Sequence, residues 1–236
     1  MPTIVFVSPK GGVGKTTSAV VLATQLALKT TVTVLDGDPN KPIENWAKGG
    51  NTPEKMTVVS DVDEENIIER IEDAAKSSAF VIVDLEGTAS KIVVLAVSQA
   101  DFVVVPSQGS HLDGQQAGRA FRVIEQQEKM MRRMDPTYSL PYAVLLTRTN
   151  SAIRTRTLTH IQSGLLEKGI PIFKTELNDR EAFRAMFSFR QTLENLDPAE
   201  VANVDKAIVN AKSFTQELVN ALRTNQNRKQ SDHQES

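Results

Sequence analysis

Residues 8–17 read "SPKGGVGKTT", placing two amines, Lys10 and Lys15, five positions apart on a stretch whose other side chains are small. Glycines at 11, 12 and 14 let successive backbone N–H groups close around an anion with no Cβ in the way. An apolar run precedes the stretch and a helical pattern follows it, the context in which a loop of this kind holds phosphate at a helix N-terminus. The candidate phosphate-binding residues are therefore Lys10, Gly11, Gly12, Val13, Gly14, Lys15, Thr16 and Thr17. Lys15 would reach the β- and γ-phosphates of a nucleotide. The Thr16 hydroxyl would offer Mg²⁺ a hard oxygen, since this ion takes one or two protein oxygens and keeps phosphate and water for the rest. A glycine-rich turn that only joins strand to helix is the plain alternative; Gly-Lys-Thr between a strand and a helix speaks against it. Three aspartates close apolar runs: Asp36 and Asp38 in "LDGDPNKP" and Asp84 in "FVIVDLEG". Turn formation at a strand end is the plain alternative for the first pair, and the third is a common strand ending.

The elements that must position these groups are legible as an alternation. Near-continuous apolar runs at 3–7, 31–36, 80–84, 102–106 and 142–147 have the look of strands buried on both faces, as in a parallel sheet covered by helices. Helical patterns fall between them at about 15–29, 63–76, 88–99, 113–134 and 155–168. The expected fold is α/β: a doubly wound, mainly parallel sheet with helices on both faces. A weaker strand is expected at 171–174, a helix near 179–188, and a last helix over 198–223 with Asp197 as its cap and Pro198 as its first residue. A single domain over 1–223 is expected, with 224–236, which carries no apolar side chain, as a disordered polar tail.

Composition narrows the function. The chain has 236 residues, is 40% hydrophobic and carries a formal net charge of −2, so binding to nucleic acid would need a local basic patch. The absence of cysteine rules out disulfides, thiolate zinc and cysteine-ligated iron–sulfur clusters. No apolar run approaches the roughly 20 residues of a membrane span, and the opening "TIVFVSP" is not signal-like. A cytoplasmic, nucleoid-associated protein is expected. His111, His160 and His233 are too scattered for a metal site, and Trp46 reads as a packing residue.

The usual phosphate-loop template would put its first glycine at Pro9; instead, Lys10 heads "KGGVGKT". In this the sequence resembles the ParA/MinD superfamily of deviant Walker A ATPases, over about residues 3–190. The resemblance implies ATP and Mg²⁺ as cofactors, weak basal hydrolysis, and a homodimer formed when ATP is bound. It makes Lys10 the signature lysine that reaches the partner's nucleotide, and Lys10, Lys15 and Asp38 the catalytic groups. Asp38 matches the carboxylate that positions the attacking water. Thr16, Asp36 and Asp84 match the metal-side residues, the aspartates acting through water. "LEGTAS" departs from the usual proline-rich turn after Asp84, with Gly87 as the flexible element. Small plasmid partition ParA proteins, and the ParA-like T-DNA transfer protein of tumour-inducing plasmids, depart similarly. "VLLTRTNSAIRTR" resembles the strand leading to the adenine pocket, with Arg148, Thr149 and Asn150 all open as base contacts.

Such proteins work as switches on a surface. For plasmid partition the surface is nonspecific DNA, and a ParB-like protein stimulates release; Arg154, Arg156, Arg180, Arg184 and Arg190 are the candidate DNA contacts. Lys129, Arg132 and Arg133 form another basic group, which the helix dipole alone would explain. The runner-up is a MinD-like ATPase on a membrane or pole, positioning a secretion or division complex. Its candidate membrane helix, 212–223, has few cations, and docking of Phe214, Leu218 and Leu222 onto the core is the preferred reading. A third class, a metabolic P-loop ligase, lacks further catalytic groups in the sequence.

Overall fold

The computed structural model describes residues 1–8, 11–87, 90–108 and 114–232. Seven strands form one sheet in the order β3-β2-β4-β1-β5-β6-β7: β1 Thr3–Phe6, β2 Val32–Gly37, β3 Met56–Val59, β4 Phe80–Leu85, β5 Phe102–Gln108, β6 Tyr142–Thr149 and β7 Leu177–Asn178. Every pairing is parallel. The helices are α1 Lys15–Ala27, α2 Pro42–Ala47, α3 Ile67–Ser77, α4 Lys91–Ser98, α5 Gly114–Met131, α6 Arg156–Glu167, α7 Glu181–Ser188 and α8 Val204–Asp232.

Alternation along the buried strands sorts the core into two layers. Ile4, Phe6, Val34 and Ile82 face the layer built with α1, α2, α7 and α8. Val5, Val7, Leu35, Val81 and Val83 face the layer built with α3, α4, α5 and α6. Because both faces are covered, the strands carry apolar residues without interruption. The chain runs from β1 outwards to β2 and β3, then returns through β4 to the other side of β1. That reversal makes the carboxyl end of β1 the crevice where open α/β sheets bind ligands, and the glycine-rich loop starts there.

Phe214, Leu218 and Leu222 of α8 lie in the apolar core against α1, as the pattern leads one to expect. Trp46 is also buried, and its indole N–H donates to the carbonyls of Met186 and Gln191, tying α2 to the end of α7.

Several boundaries differ from the sequence reading. The strand β3 and the one-and-a-half-turn α2 were not anticipated, since each is too short to show a period. The strand expected at 171–174 is a single bridge, Val144 to Ile172, and the pairing strand comes later, as β7. Asp197 caps only one turn, accepting from the Ala199 N–H. Asn203 then takes a left-handed conformation (φ 59°), so the long helix starts at Val204. That helix runs on to Asp232, through most of the stretch expected to be a disordered tail. Thr224–Asp232 holds no glycine or proline, and extending an existing helix adds one hydrogen bond per residue without a new nucleus. No described helix is long and apolar enough to cross a membrane.

Candidate nucleotide site

The loop between β1 and α1 is bent by glycines in left-handed conformations that other residues rarely adopt: Gly12 has φ 78° and Gly14, which caps α1, φ 89°. Two side chains from neighbouring strands fasten it. The Thr147 hydroxyl at the end of β6 donates to the Val13 carbonyl at 2.6 Å, and the Gln108 amide at the end of β5 donates to the Gly12 carbonyl at 2.9 Å. These bonds fix the loop's backbone in a bend of the kind that cradles an anion with N–H groups. Thr16 and Thr17 are half-buried in the first turn of α1, Val13 is buried, and Gly11 is exposed. Lys10 lies outside the described residues, as do His111 and His233.

Lys15 and Asp84 meet beneath the loop, Nζ to Oδ1 at 2.8 Å. Asp84 is fully buried, and burial pushes its carboxyl above the usual range, while Lys15 and the Thr16 hydroxyl pull it down. Asp36 is its direct neighbour in the register of β2 and β4 and is equally buried. One oxygen of Asp36 accepts from the Ile43 and Glu44 N–H groups at 2.8 and 2.9 Å, holding the start of α2. Its carboxyl is also raised, by burial first and by the Asp84 charge as well. Each aspartate keeps one buried oxygen without a hydrogen-bond partner, Asp36 Oδ1 and Asp84 Oδ2. Buried acceptors of this kind are costly, and two of them beside a threonine hydroxyl suit a hydrated divalent cation. Asp38 stands at the rim, half-buried, and accepts from the Asn40 N–H at 2.9 Å.

Beside the loop, Gly14, Thr17 and Thr147 form one wall of a cleft of about 370 Å³; Arg148, Asp179, Arg180 and Phe183 form the other. Of the three residues left open as base contacts, Arg148 is the one that lines this cleft, held at φ 53°. Thr149 is buried and bonded to Asn178, and the Asn150 side chain closes its own turn onto the Ala152 and Ile153 N–H groups.

The five arginines proposed for DNA stand in different surroundings, with Arg180 and Arg184 both lining the cleft beside the loop. Arg154 and Arg180 line a second cleft of about 670 Å³ with Lys174 and Lys206. Arg154 pairs with Glu176 at 3.8 Å. Arg184 pairs with Asp179 and, at 2.8 Å, with Glu181. Arg156 is exposed at the start of α6, and Arg190 sits apart against Gly49. His160 is exposed on α6. Gln108, Thr147 and Asn178 escaped the sequence reading. Their positions at strand carboxyl ends, where the ligand crevice falls, were the available signal.

The parallel sheet, its reversal at β1 and the lysine–aspartate pair under a glycine loop define a P-loop NTPase of the ParA/MinD type. The fold agrees: the ATP complex of a McdA variant from Cyanothece superposes with a TM-score of 0.70 at 14% identity, over 92% of this chain and 96% of that one. MinD cell division protein from Aquifex aeolicus gives 0.65 at 19%, over 93% and 98%. Within this class the chain belongs to the VirC1 protein family, whose model matches residues 1–222. Protein ParA of Rhizobium radiobacter is 39% identical over 223 residues, covering 94% of this chain and 98% of that protein.

Proposed function

We propose that this protein is an ATP-driven switch of the partition type. Two copies pack face to face when each holds ATP, bind DNA without sequence preference, and separate after hydrolysis that a ParB-like partner stimulates. The observation that carries the reading is the buried cluster of Lys15, Asp84 and Asp36 under a glycine loop whose Val13 and Gly12 carbonyls are held by Thr147 and Gln108. In this reading Lys15 meets the terminal phosphates, and the base enters the cleft beside Arg148. Thr16, with Asp84 and Asp36 through water, would hold Mg²⁺, which supplies charge neutralisation at the phosphates. Asp38 orients the attacking water, and Lys10 of each copy reaches the other copy's nucleotide, where added positive charge lowers the barrier to phosphoryl transfer. Basal turnover is slow until the partner protein acts. The membrane alternative loses its main support, because the apolar face of α8 is buried in the core.

Chromatography with light scattering, in ADP and in a non-hydrolysable ATP analogue, tests this. A dimer is expected in the analogue only, and random-sequence DNA should be retained by that dimer. Lys10→Ala should keep nucleotide binding but lose dimerisation and turnover. Asp38→Ala should bind ATP, dimerise and stall. DNA binding indifferent to nucleotide would overturn the switch, and normal hydrolysis by Asp38→Ala would overturn that residue's role.

A further inference from the structure

A cation that already holds a carboxylate gains little by meeting a phosphate, because it must release one anion to take the other. Only unengaged cations add fully to the counterion-release term that drives nonspecific DNA binding. Judged in this way, the arginines of 154–190 are a weak surface, since Arg154 and Arg184 are already paired with acids.

Helix α5 is different. Arg119, Arg122 and Lys129 fall at spacings of three and seven, and Arg133 follows four residues later in the turn that closes the helix. These spacings put all four on one side of the helix. All four are exposed, and among the described residues none forms an ion pair; Arg122 donates only to the Gly118 carbonyl. From 119 to 133 the row spans about 21 Å at 1.5 Å per residue, comparable to six base-pair steps of duplex.

The acids of α5 do not cancel the row. Glu128 is turned to the Leu140 N–H at 2.8 Å and to Arg132. Glu125 lies at the margin, leaving four positive charges against one. In a chain whose net charge is −2, such segregation of free cations is a local polyanion surface.

We propose that the outer face of α5, through Arg119, Arg122, Lys129 and Arg133, is the principal surface by which this protein contacts the phosphate backbone of DNA. The proposal rests on the DNA-binding reading above and places the contact on the sheet face opposite α8, away from the 154–190 arginines. Regular spacing along a rigid helix suits a regular phosphate lattice. Contacts from such a row to phosphate oxygens fix position and carry no sequence information, so sequence-independent binding is expected.

The test is fluorescence anisotropy with a random-sequence duplex in the ATP analogue, over a series of salt concentrations. It compares the wild type, the quadruple variant Arg119→Ala/Arg122→Ala/Lys129→Ala/Arg133→Ala, and the triple variant Arg154→Ala/Arg156→Ala/Arg190→Ala. All seven side chains lie outside the phosphate loop, and thermal melting with nucleotide titration confirms intact folding and ATP binding in each variant. The slope of log K against log salt should fall by roughly 3 to 4 in the quadruple variant, about one per lost phosphate contact. A smaller change is expected in the triple variant. An unchanged slope in the quadruple variant, with loss in the triple, overturns the assignment to α5 and leaves DNA binding itself standing. No DNA binding by the wild type overturns both. Met130 and Met134 are exposed beside the row, so vesicles with and without anionic lipid form a further arm. Capture by anionic vesicles that requires the four cations, with DNA binding unaffected by their loss, assigns the face to a membrane and overturns the proposal.

Discussion

The two ends of α1 sit in opposite environments. Its amino end opens on a loop of left-handed glycines above Lys15, Asp84 and Asp36, where two carboxylate oxygens are buried without partners. Its body, from Ala19 to Ala27, is packed between the sheet and α8 among apolar side chains. At that distal side, Phe214 meets Phe173 edge-on with ring centroids 5.4 Å apart. The amino end gathers two unpartnered carboxylate oxygens and positive φ angles, while the body, where the Gln25 Oε1 is also buried without a partner, is dominated by apolar packing and supplies the stability that tolerates them. Such contrast marks a binding end, because strain and buried charge persist only where the surroundings hold them in place.

The comparison is broken most forcefully from the apolar side. Phe214→Ala deletes a side chain with no solvent exposure and should cost about 3–5 kcal/mol, at roughly 2–4 °C of Tm per kcal/mol for a chain of this size. Calorimetry measures this, and ATP affinity of the folded fraction should be unchanged. If affinity falls with stability, the two regions are not independent. Lys15→Ala comes next. It leaves the Asp84 carboxylate buried without its partner and should cost about 3 kcal/mol, the lower end for breaking a buried pair, because Lys15 retains some exposure. It should also abolish nucleotide binding. Adding Asp84→Asn should restore most of the lost stability and none of the binding, which separates structural from functional loss at the same pair.

Legibility in the sequence followed the same division. The strands of the sheet centre were readable because burial on both faces leaves an unbroken apolar run, and Phe214, Leu218 and Leu222 because they repeat at helical spacing. The phosphate loop was readable from residue types alone, since few other uses require Gly-Lys-Thr between a strand and a helix. β3 and α2 were not, because four and six residues are too few for a period to emerge. The fastening of the loop by Thr147 and Gln108 was also hidden, as contacts across 134 and 96 positions leave no local trace. Which arginines of 154–190 are already paired was hidden for a related reason: density of charge along the chain says nothing about which cations are matched. Arg184 has two acids within five residues and pairs with both, whereas among the described residues Arg119, Arg122, Lys129 and Arg133 form no ion pair.

The smallest effect concerns Asp36, and its sign is the informative part. Burial and the neighbouring Asp84 raise the Asp36 carboxyl above its ordinary 3.8, against the pull of the Ile43 and Glu44 N–H groups. The folded state therefore holds this proton to a higher pH than the unfolded chain does. As pH rises from about 3.8, the unfolded chain ionises first, and stability falls until the folded carboxyl has ionised too. Above that window the penalty is complete and constant. Asp36→Asn removes the charge while its side-chain oxygen can still accept from the two N–H groups of α2. Without nucleotide or Mg²⁺, the variant should melt slightly above the wild type at pH 7, and the difference should shrink towards zero as pH approaches 4. With ATP and Mg²⁺ present the order should reverse, because the wild-type carboxylate then has a counter-charge that the amide cannot use. Melting curves at several pH values, with and without Mg²⁺-ATP, measure both signs. A variant less stable than the wild type in the absence of ligand would show that Asp36 serves chiefly to hold α2, and would remove it from the cation site.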